Sequence, residues 1–367
     1  MLILIFICTI LYGMFANQKK HFWLWCTILL IIMINTSINF ADYDAYNKYY
    51  LLVGSGSIEP GYHGIPIIWY YLCLLFNKLN LSYNGMMAII ILISMFLINY
   101  RIKDLNINKN VFWSLFIIFP GLIQCIQLRF FLGTSIVLFG LIPLLNEKKY
   151  SLIKYVLCVI IAYYTHASCA IFTLFAFVPL FKRIGTKGTL FISLISVFLI
   201  YFGLQYIPDV ISPFIPSIKF ERYFVSGISE TNLSWFIQIA LVWLVMFLTQ
   251  KAILSNVTKY FNEYINENDK NINSYNNIGK ATILLIITIP FLMFDRNFHR
   301  FLEIGYVIMY ILVSFYLMKF IKKRENKFSI VLLSILILCV VTYIYTPYET
   351  VLKPLFTFSG FHSLFMN

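Results

Sequence analysis

The densest early group of polar side chains in this 367-residue sequence lies at residues 39–64, in the stretch NFADYDAYNKYYLLVGSGSIEPGYHG. Two of its acids, Asp42 and Glu59, stand between strongly apolar blocks. A carboxylate that is partly removed from water can have its pKa raised into the range that a general base needs. We therefore predict that Asp42 or Glu59 acts as a base. The alternative for Asp42 is that it caps a short interfacial helix together with Asp44.

Aromatic side chains surround these acids. Tyr46 and Tyr62 offer flat faces on which sugar rings can stack, and His63 follows directly. A belt of aromatic residues at a membrane surface explains the tyrosines equally well. The candidates for substrate binding in this stretch are Tyr46, Tyr62 and His63.

Cations that suit a dense anion follow in the second part of the chain. Arginine grips phosphate oxygens through two parallel hydrogen bonds, so several arginines on one face suit a diphosphate. The candidates are Arg129 in a short turn after Pro120-Gly121, Lys219 and Arg222 in the loop 207–234, and Arg296 and Arg300 in DRNFHR.

Each cation also has a simpler interpretation. Arg129 can extend its charge to the membrane interface while its stem stays buried. Arg296 and Arg300 have Asp295 and Glu303 at helical spacings, which allows local ion pairs. Lys219 and Arg222 flank an acid and are as consistent with a solvated loop.

His166, in the sequence THAS, can hydrogen-bond a phosphate, transfer a proton or cap a helix end. We count it among the catalytic candidates. The sequence has no cluster of metal ligands, no Walker loop and no dinucleotide fingerprint, so it predicts neither a metal nor another cofactor.

These residues need an element that holds them, and the composition defines it. The mean hydropathy is +0.82 and 60% of residues are hydrophobic, above the roughly 45–50% of a soluble domain. Continuous apolar blocks exclude a barrel. The sequence predicts an all-α polytopic membrane protein, with a GT-C-like arrangement as one candidate. The net charge of +13 is explained by basic cytoplasmic loops, and no nucleic-acid partner is predicted.

Thirteen apolar segments are candidate membrane helices: 2–16, 22–38, 65–79, 86–100, 111–125, 131–146, 151–165, 168–182, 189–206, 235–250, 281–294, 301–319 and 328–346. We expect a single membrane domain spanning residues 1–367. Its outer loops are 39–64 and 207–234. The Asn-rich segment 251–280 is predicted to be a flexible cytoplasmic loop.

Charge distribution leaves two topologies open. If six basic clusters face the cytoplasm, they hold 20 of the 28 Lys and Arg residues. About twelve helices then span, and 65–79 is a re-entrant or interfacial helix. If 65–79 spans instead, 19 Lys and Arg residues face the cytoplasm and nine face the outer side. Only the first topology places residues 39–64 on the outer side with Arg129.

The order of motifs resembles that of a bacterial family. Asp42, Tyr43 and Tyr46 form DYxxY; Glu59 to Tyr62 form EPGY; Arg129 stands in LRFFLG; His166 and Ser168 form HxS; and Tyr306 follows Arg300. This series resembles EpsG/Wzy-type polysaccharide polymerases over about residues 39–306. The family usually has Arg-Gln at the loop arginine, whereas Phe130 follows Arg129 here.

The resemblance implies a glycosyltransferase at the outer face of the bacterial cytoplasmic membrane. It would join undecaprenyl-diphosphate-linked oligosaccharide repeat units without a metal or nucleotide sugar. Asp42 or Glu59 would deprotonate the acceptor hydroxyl, and Arg129, Arg300 and His166 would hold the diphosphate. A chain-length regulator and a flippase are candidate partners. The alternatives are a lipid-linked-glycan flippase or transporter, and an O-antigen ligase-type transferase.

Overall fold

The apolar runs form helices because a helix satisfies its backbone hydrogen bonds within one segment, which is essential where water is absent. The computed structural model describes residues 2–16, 18–35, 43–61, 65–103, 105–182, 184–203, 206, 233–264, 270–293 and 296–320. Every regular element within these ranges is helical, and none of them contains a strand. The predicted all-α class is confirmed.

The chain begins with two apolar helices and a short helical pair. Helix α1 (Leu2–Phe15) and helix α2 (Phe22–Asn35) both pack against α6, described below. The tyrosine-rich α3 (Tyr43–Gly54) then packs against α4 (Ile67–Lys78). The polar stretch of the sequence is thus organised around α3, which the structure places within the predicted outer loop.

The length of α4 bears on the open topology. At about 1.5 Å per residue, a helix of 12 residues is roughly 18 Å long. A hydrocarbon core of about 30 Å needs about 20 residues. Helix α4 is too short to cross by itself, which agrees with the re-entrant or interfacial helix predicted at 65–79. Helices α1 and α2 have only 14 residues each, so length does not separate the two topologies.

Five helices form the centre of the first half: α5 (Tyr83–Ile102), α6 (Lys109–Phe116), α7 (Leu122–Ile126), α8 (Leu128–Leu145) and α9 (Ser151–Thr165). Helix α8 packs against both α5 and α9. Nearly all of its side chains are buried. It therefore lies inside the bundle, with Arg129 in its first turn.

Two backbone breaks set where α8 begins. Phe119 has extended dihedral angles (φ −162°, ψ 134°) directly before Pro120, which lacks the N–H that a continuing helix requires. Gln127 also leaves the helical region (φ −88°, ψ 53°). Pro120-Gly121 predicted a short turn at Arg129. The structure places Arg129 just inside α8, because the break at Gln127 lies two residues before it.

The second half comprises the 3₁₀ segment Ala167–Phe177, α10 (Gly185–Gly203), α11 (Leu233–Tyr264), α12 (Lys270–Leu284), the 3₁₀ segments Leu285–Met293 and Arg296–Leu302, and α13 (Glu303–Phe320). The candidate helix at 328–346 and most of the loop 207–234 lie outside the described residues.

The Asn-rich segment 251–280 differs from the flexible loop that its composition indicates. It is helical on both sides of residues 265–269. Tyr275 and Ile278 are buried at helical spacing, and Asn277 donates a hydrogen bond to a main-chain carbonyl of α8. Asparagine is a poor helix former, but packing overrides this preference. The loop interpretation is wrong for these helical residues, while the single-domain assignment stays a prediction.

Within the described ranges, seven helical segments are long and apolar enough to cross a bilayer: Tyr83–Ile102, Lys109–Ile126, Leu128–Leu145, Gly185–Gly203, Ile237–Ser255, Ser274–Leu292 and Asn297–Leu317. Five shorter apolar helices accompany them. Burial ranges from 11% in the α10 segment to 94% in Asn297–Leu317, so α10 is peripheral and α13 central. The number of crossings stays a prediction.

Candidate active site

Arg129 is held by a residue from the polar stretch near the front of the chain. Its Nη2 donates a hydrogen bond of 2.8 Å to the hydroxyl oxygen of Tyr46. The Arg129 Cζ also lies 4.6 Å from the centre of the Tyr46 ring. The Nε of Arg129 is buried without a hydrogen-bond partner. Two sequence-predicted site residues, 83 positions apart, are therefore in direct contact.

Helix α3 presents Tyr46 at this position because hydrogen bonds fix it to neighbouring elements. The Tyr43 hydroxyl donates to Asn84 Oδ1 at 2.7 Å, and the Tyr50 hydroxyl donates to the main-chain oxygen of Leu81 at 2.6 Å. Both acceptors lie at the start of α5. Arg129 contacts α3, and α3 is hydrogen-bonded to the chain where α5 starts. The start of α5, helix α3 and Arg129 therefore lie at the same end of the bundle.

Burial affects the phenols of α3. It raises the pKa of Tyr43, an effect that the hydrogen bond to Asn84 partly opposes. Burial also raises the pKa of Tyr49, where the charge of Arg129 acts in the opposite direction. Both phenols therefore stay neutral near pH 7 and can serve as hydrogen-bond donors.

Phe130 joins Arg129 to the late part of the chain. Its ring lies edge-on to the ring of His166, with centroids 5.4 Å apart. The Cζ of Arg300 lies 5.7 Å from the centre of the same ring. Phe130 itself is buried. The structure thus brings His166 and Arg300 to the ring of Phe130, which directly follows Arg129 in α8.

Among the described residues, no salt bridge neutralises either arginine. Arg300 is half-buried, and its Nε donates to the main-chain oxygen of Asn297 at 2.8 Å. Its terminal amino groups make no hydrogen bond in the described part of the chain, and neither Arg300 nor Arg129 forms a salt bridge there. Arg300 is therefore not paired with Glu303, which was its alternative interpretation.

Two buried polar residues beside Arg300 were missed as site candidates. Glu303 is 1% exposed, and no hydrogen bond reaches either carboxyl oxygen. The Gln124 amide lies next to this carboxyl group, and no hydrogen bond of normal geometry forms at either of its polar atoms. The sequence contained one indication of this pair: Gln124 lies in the apolar run LIQCIQL. Burying an amide there without a hydrogen-bond partner is energetically unfavourable.

His166 has a structural role at the start of the 3₁₀ segment Ala167–Phe177. Its Nδ1 accepts a hydrogen bond of 3.3 Å from the backbone N–H of Ser168. This is the helix-capping interpretation. The ring also packs on Phe130, so His166 lies in the cluster while capping the segment.

Of the two acids predicted as bases, the structure describes only Glu59, which does not lie at the cluster. Glu59 is exposed in the turn after α3, with no described contact to either arginine. Asp42 lies outside the described residues. So do Tyr62, His63, Lys219 and Arg222, while the backbone of Arg296 is described but its side chain is not. Their roles stay predictions.

No cluster of potential metal ligands occurs among the described residues. The described site is instead a set of cations, aromatic rings and amides at one end of a helical bundle. Such a set can bind an anionic group and stabilise negative charge that develops on it.

Fold and site define a multi-pass membrane protein with a cationic cluster built from both halves of the chain. The family model for the EpsG family matches residues 20–357. The chain belongs to this family, the Wzy-type polysaccharide polymerases. Membership supports a role as a polysaccharide polymerase. No curated protein and no solved structure shows significant similarity to the chain.

Proposed function

We propose that the protein joins undecaprenyl-diphosphate-linked oligosaccharide repeat units into a polymer at the outer face of the cytoplasmic membrane. A growing glycan is transferred from its lipid diphosphate onto a new lipid-linked repeat unit. The observation that carries this proposal is the contact of His166 and Arg300 with the ring of Phe130, the sequence neighbour of Arg129, with no salt bridge to either arginine among the described residues.

The two guanidinium groups, which form no salt bridge among the described residues, suit the diphosphate. Arginine donors in fixed geometry bind phosphate oxygens in pairs and stabilise the charge that grows as the glycosidic oxygen leaves. His166 and, by prediction, Arg296, Lys219 and Arg222 add to this positive surface. Tyr46 holds Arg129 in place, and Tyr62 and His63 remain predicted contacts of the sugars.

The acceptor hydroxyl must lose its proton to a base. Asp42 and Glu59 are the bases predicted from the sequence. The outward orientation is supported by the contact between Tyr46 and Arg129, because it places α3 at the same end of the bundle as Arg129. With the basic loops in the cytoplasm, that end faces outward.

The test uses the full-length protein in liposomes, with lipid-linked repeat units extracted from cells that lack its gene. Wild-type protein is expected to produce a ladder of polymer. Arg129→Ala and Arg300→Ala are each expected to reduce the rate by about 100-fold or more. Lys149→Ala, which removes an exposed cation, is the control and should polymerise normally.

A flippase or transporter would move the labelled lipid across the bilayer without lengthening the glycan. A ligase-type transferase would move one glycan onto an acceptor without forming a ladder. Either result with the wild-type protein, or normal ladders from both arginine variants, would contradict the proposal.

A further inference from the structure

We infer that Glu303 is the residue that accepts the proton of the acceptor sugar hydroxyl. This inference rests on the proposed function, and it assigns a role that the sequence analysis gave to Asp42 or Glu59. It starts from the position of Glu303 at the beginning of α13, three residues after Arg300 and facing that guanidinium group.

Glu303 differs from the other acids whose side chains are described. Asp44, Glu59 and Glu147 are exposed, whereas Glu303 is 1% exposed. Burying a carboxylate without hydrogen bonds is unfavourable unless something compensates its charge. The Arg300 guanidinium and the positive end of the α13 dipole both provide compensation.

The polar side-chain atoms of Glu303 and Gln124 form no hydrogen bonds that stabilise the fold. Both carboxyl oxygens and both polar atoms of the Gln124 amide lack hydrogen bonds, although all are buried. Native proteins pair the large majority of such groups. These unpaired donors and acceptors lie beside Arg300, whose terminal amino groups make no hydrogen bond in the described part of the chain. Such a group matches a hydroxyl-bearing ligand, because a sugar hydroxyl both donates and accepts a hydrogen bond.

Burial gives this base an advantage over an exposed one. A polymerase must transfer the glycan to a sugar hydroxyl and not to water. An exposed carboxylate such as Glu59 would activate bulk water as readily as the acceptor. A carboxylate enclosed between helices acts only on a hydroxyl that enters with the bound acceptor, which suppresses hydrolysis.

In the transfer of the glycan, one proton moves, one bond forms and one bond breaks. The acceptor hydroxyl gives its proton to a carboxyl oxygen of Glu303, and its oxygen forms a bond to the anomeric carbon of the donor. The bond from that carbon to the diphosphate oxygen breaks. Its electron pair leaves with the lipid diphosphate, whose added charge faces Arg300 and Arg129. Glu303 releases the proton once the product has left.

The experiment compares Glu303→Gln, Glu303→Asp and Glu303→Ala in the full-length protein in liposomes, with the extracted lipid-linked repeat units as probe. Because Gln preserves the shape of the side chain, Glu303→Gln should lower kcat about 100-fold or more while KM changes by less than about twofold. Glu303→Asp should retain part of the activity. Sodium formate, but not sodium chloride, should restore polymerisation by Glu303→Ala.

A residue that only supports the fold would give a different pattern: a near-normal rate for Glu303→Gln and no rescue by formate. Either result overturns the inference. The control Glu147→Gln changes an exposed acid beyond the far end of α8 and should retain kcat. A loss of about 100-fold at unchanged KM in Glu59→Gln or Asp42→Asn would show that the base lies there and would also overturn the inference. This second measurement decides the question even if the Glu303 variants fail to fold.

The two proposals fail separately. If wild-type protein polymerises, Arg300→Ala does not, and Glu303→Gln behaves as wild type, the proposed function stands and the role of Glu303 falls. If wild-type protein forms no polymer from lipid-linked repeat units, the proposed function itself fails.

Discussion

Arg129, which precedes Phe130 in the chain, and Arg300, which lies against the Phe130 ring, are fixed in different ways. Arg129 depends on the hydroxyl of Tyr46, which lies 83 residues away on α3. Arg300 donates to the main-chain oxygen of Asn297, only three residues earlier. The position of Arg129 therefore requires α3 to dock, whereas one local turn is enough to hold Arg300.

Their surroundings differ as well. Arg129 faces the tyrosines of α3, at the edge of the bundle, and Arg300 faces the buried Glu303 at the start of the central helix α13. Under the proposed function, the two arginines would have different roles. The Arg129 side would hold the incoming lipid diphosphate, and the Arg300 side would be a preformed part where bonds change.

The largest expected effect tests whether both arginines hold one ligand. Arg129→Ala and Arg300→Ala should each weaken binding of undecaprenyl diphosphate by about tenfold or more, because hydrogen bonds to charged groups contribute about 1.5–3 kcal/mol. In the double variant the losses should not add, with a coupling energy of about 0.5–3 kcal/mol. Binding to protein in detergent measures this, and strictly additive losses would mean that the arginines serve separate ligands.

The next prediction concerns the docking of Arg129. Tyr46→Phe removes one charge-assisted hydrogen bond and should lower the polymerisation rate by about tenfold. Tyr49→Phe is the matched control on the same helix, since the buried Tyr49 hydroxyl has no hydrogen-bond partner. It should have a normal rate. Equal rates for the two variants would show that Arg129 does not need Tyr46.

A smaller effect is expected from Phe130, whose ring contacts Arg300. Phe130→Leu removes the aromatic face beside Arg300, and a cation–π contact contributes about 0.5–1 kcal/mol. We expect KM to rise about two- to fivefold at little change in kcat. Phe139→Leu removes the corresponding contact with Arg101, where Cζ lies 3.7 Å from the ring centre. This control should polymerise normally, and an equal rise in KM would contradict the assignment of Phe130 to the site.

The smallest effect concerns stability on the His166 side. A Cβ added at Gly133 would lie 2.6 Å from Cys169 Sγ and 3.7 Å from His166 Cβ. Gly133→Ala should therefore destabilise the protein by about 1 kcal/mol through overpacking. Thermal unfolding in detergent measures the change, and the additional substitution Cys169→Ala should restore stability. No recovery would mean that the strain lies elsewhere.

Part of this site could be predicted from residue types. Arginines in short polar interruptions of apolar blocks, such as Arg129 and Arg300, are costly in a membrane and point to function. Glu303 was visible in the sequence but was interpreted as a local partner of Arg300. Spacing alone does not distinguish a salt bridge from two side chains that face each other without bonding, and the structure shows the latter.

The helical membrane class and the family followed from the sequence alone, because apolar runs and motif order are properties of the chain read in one dimension. The helices in the Asn-rich segment, the breaks that set the start of α8, and the burial of Glu303 needed the tertiary structure. So did the contact between Tyr46 and Arg129. Contacts between distant residues depend on how helices pack, and packing energies override the local preferences that a sequence displays.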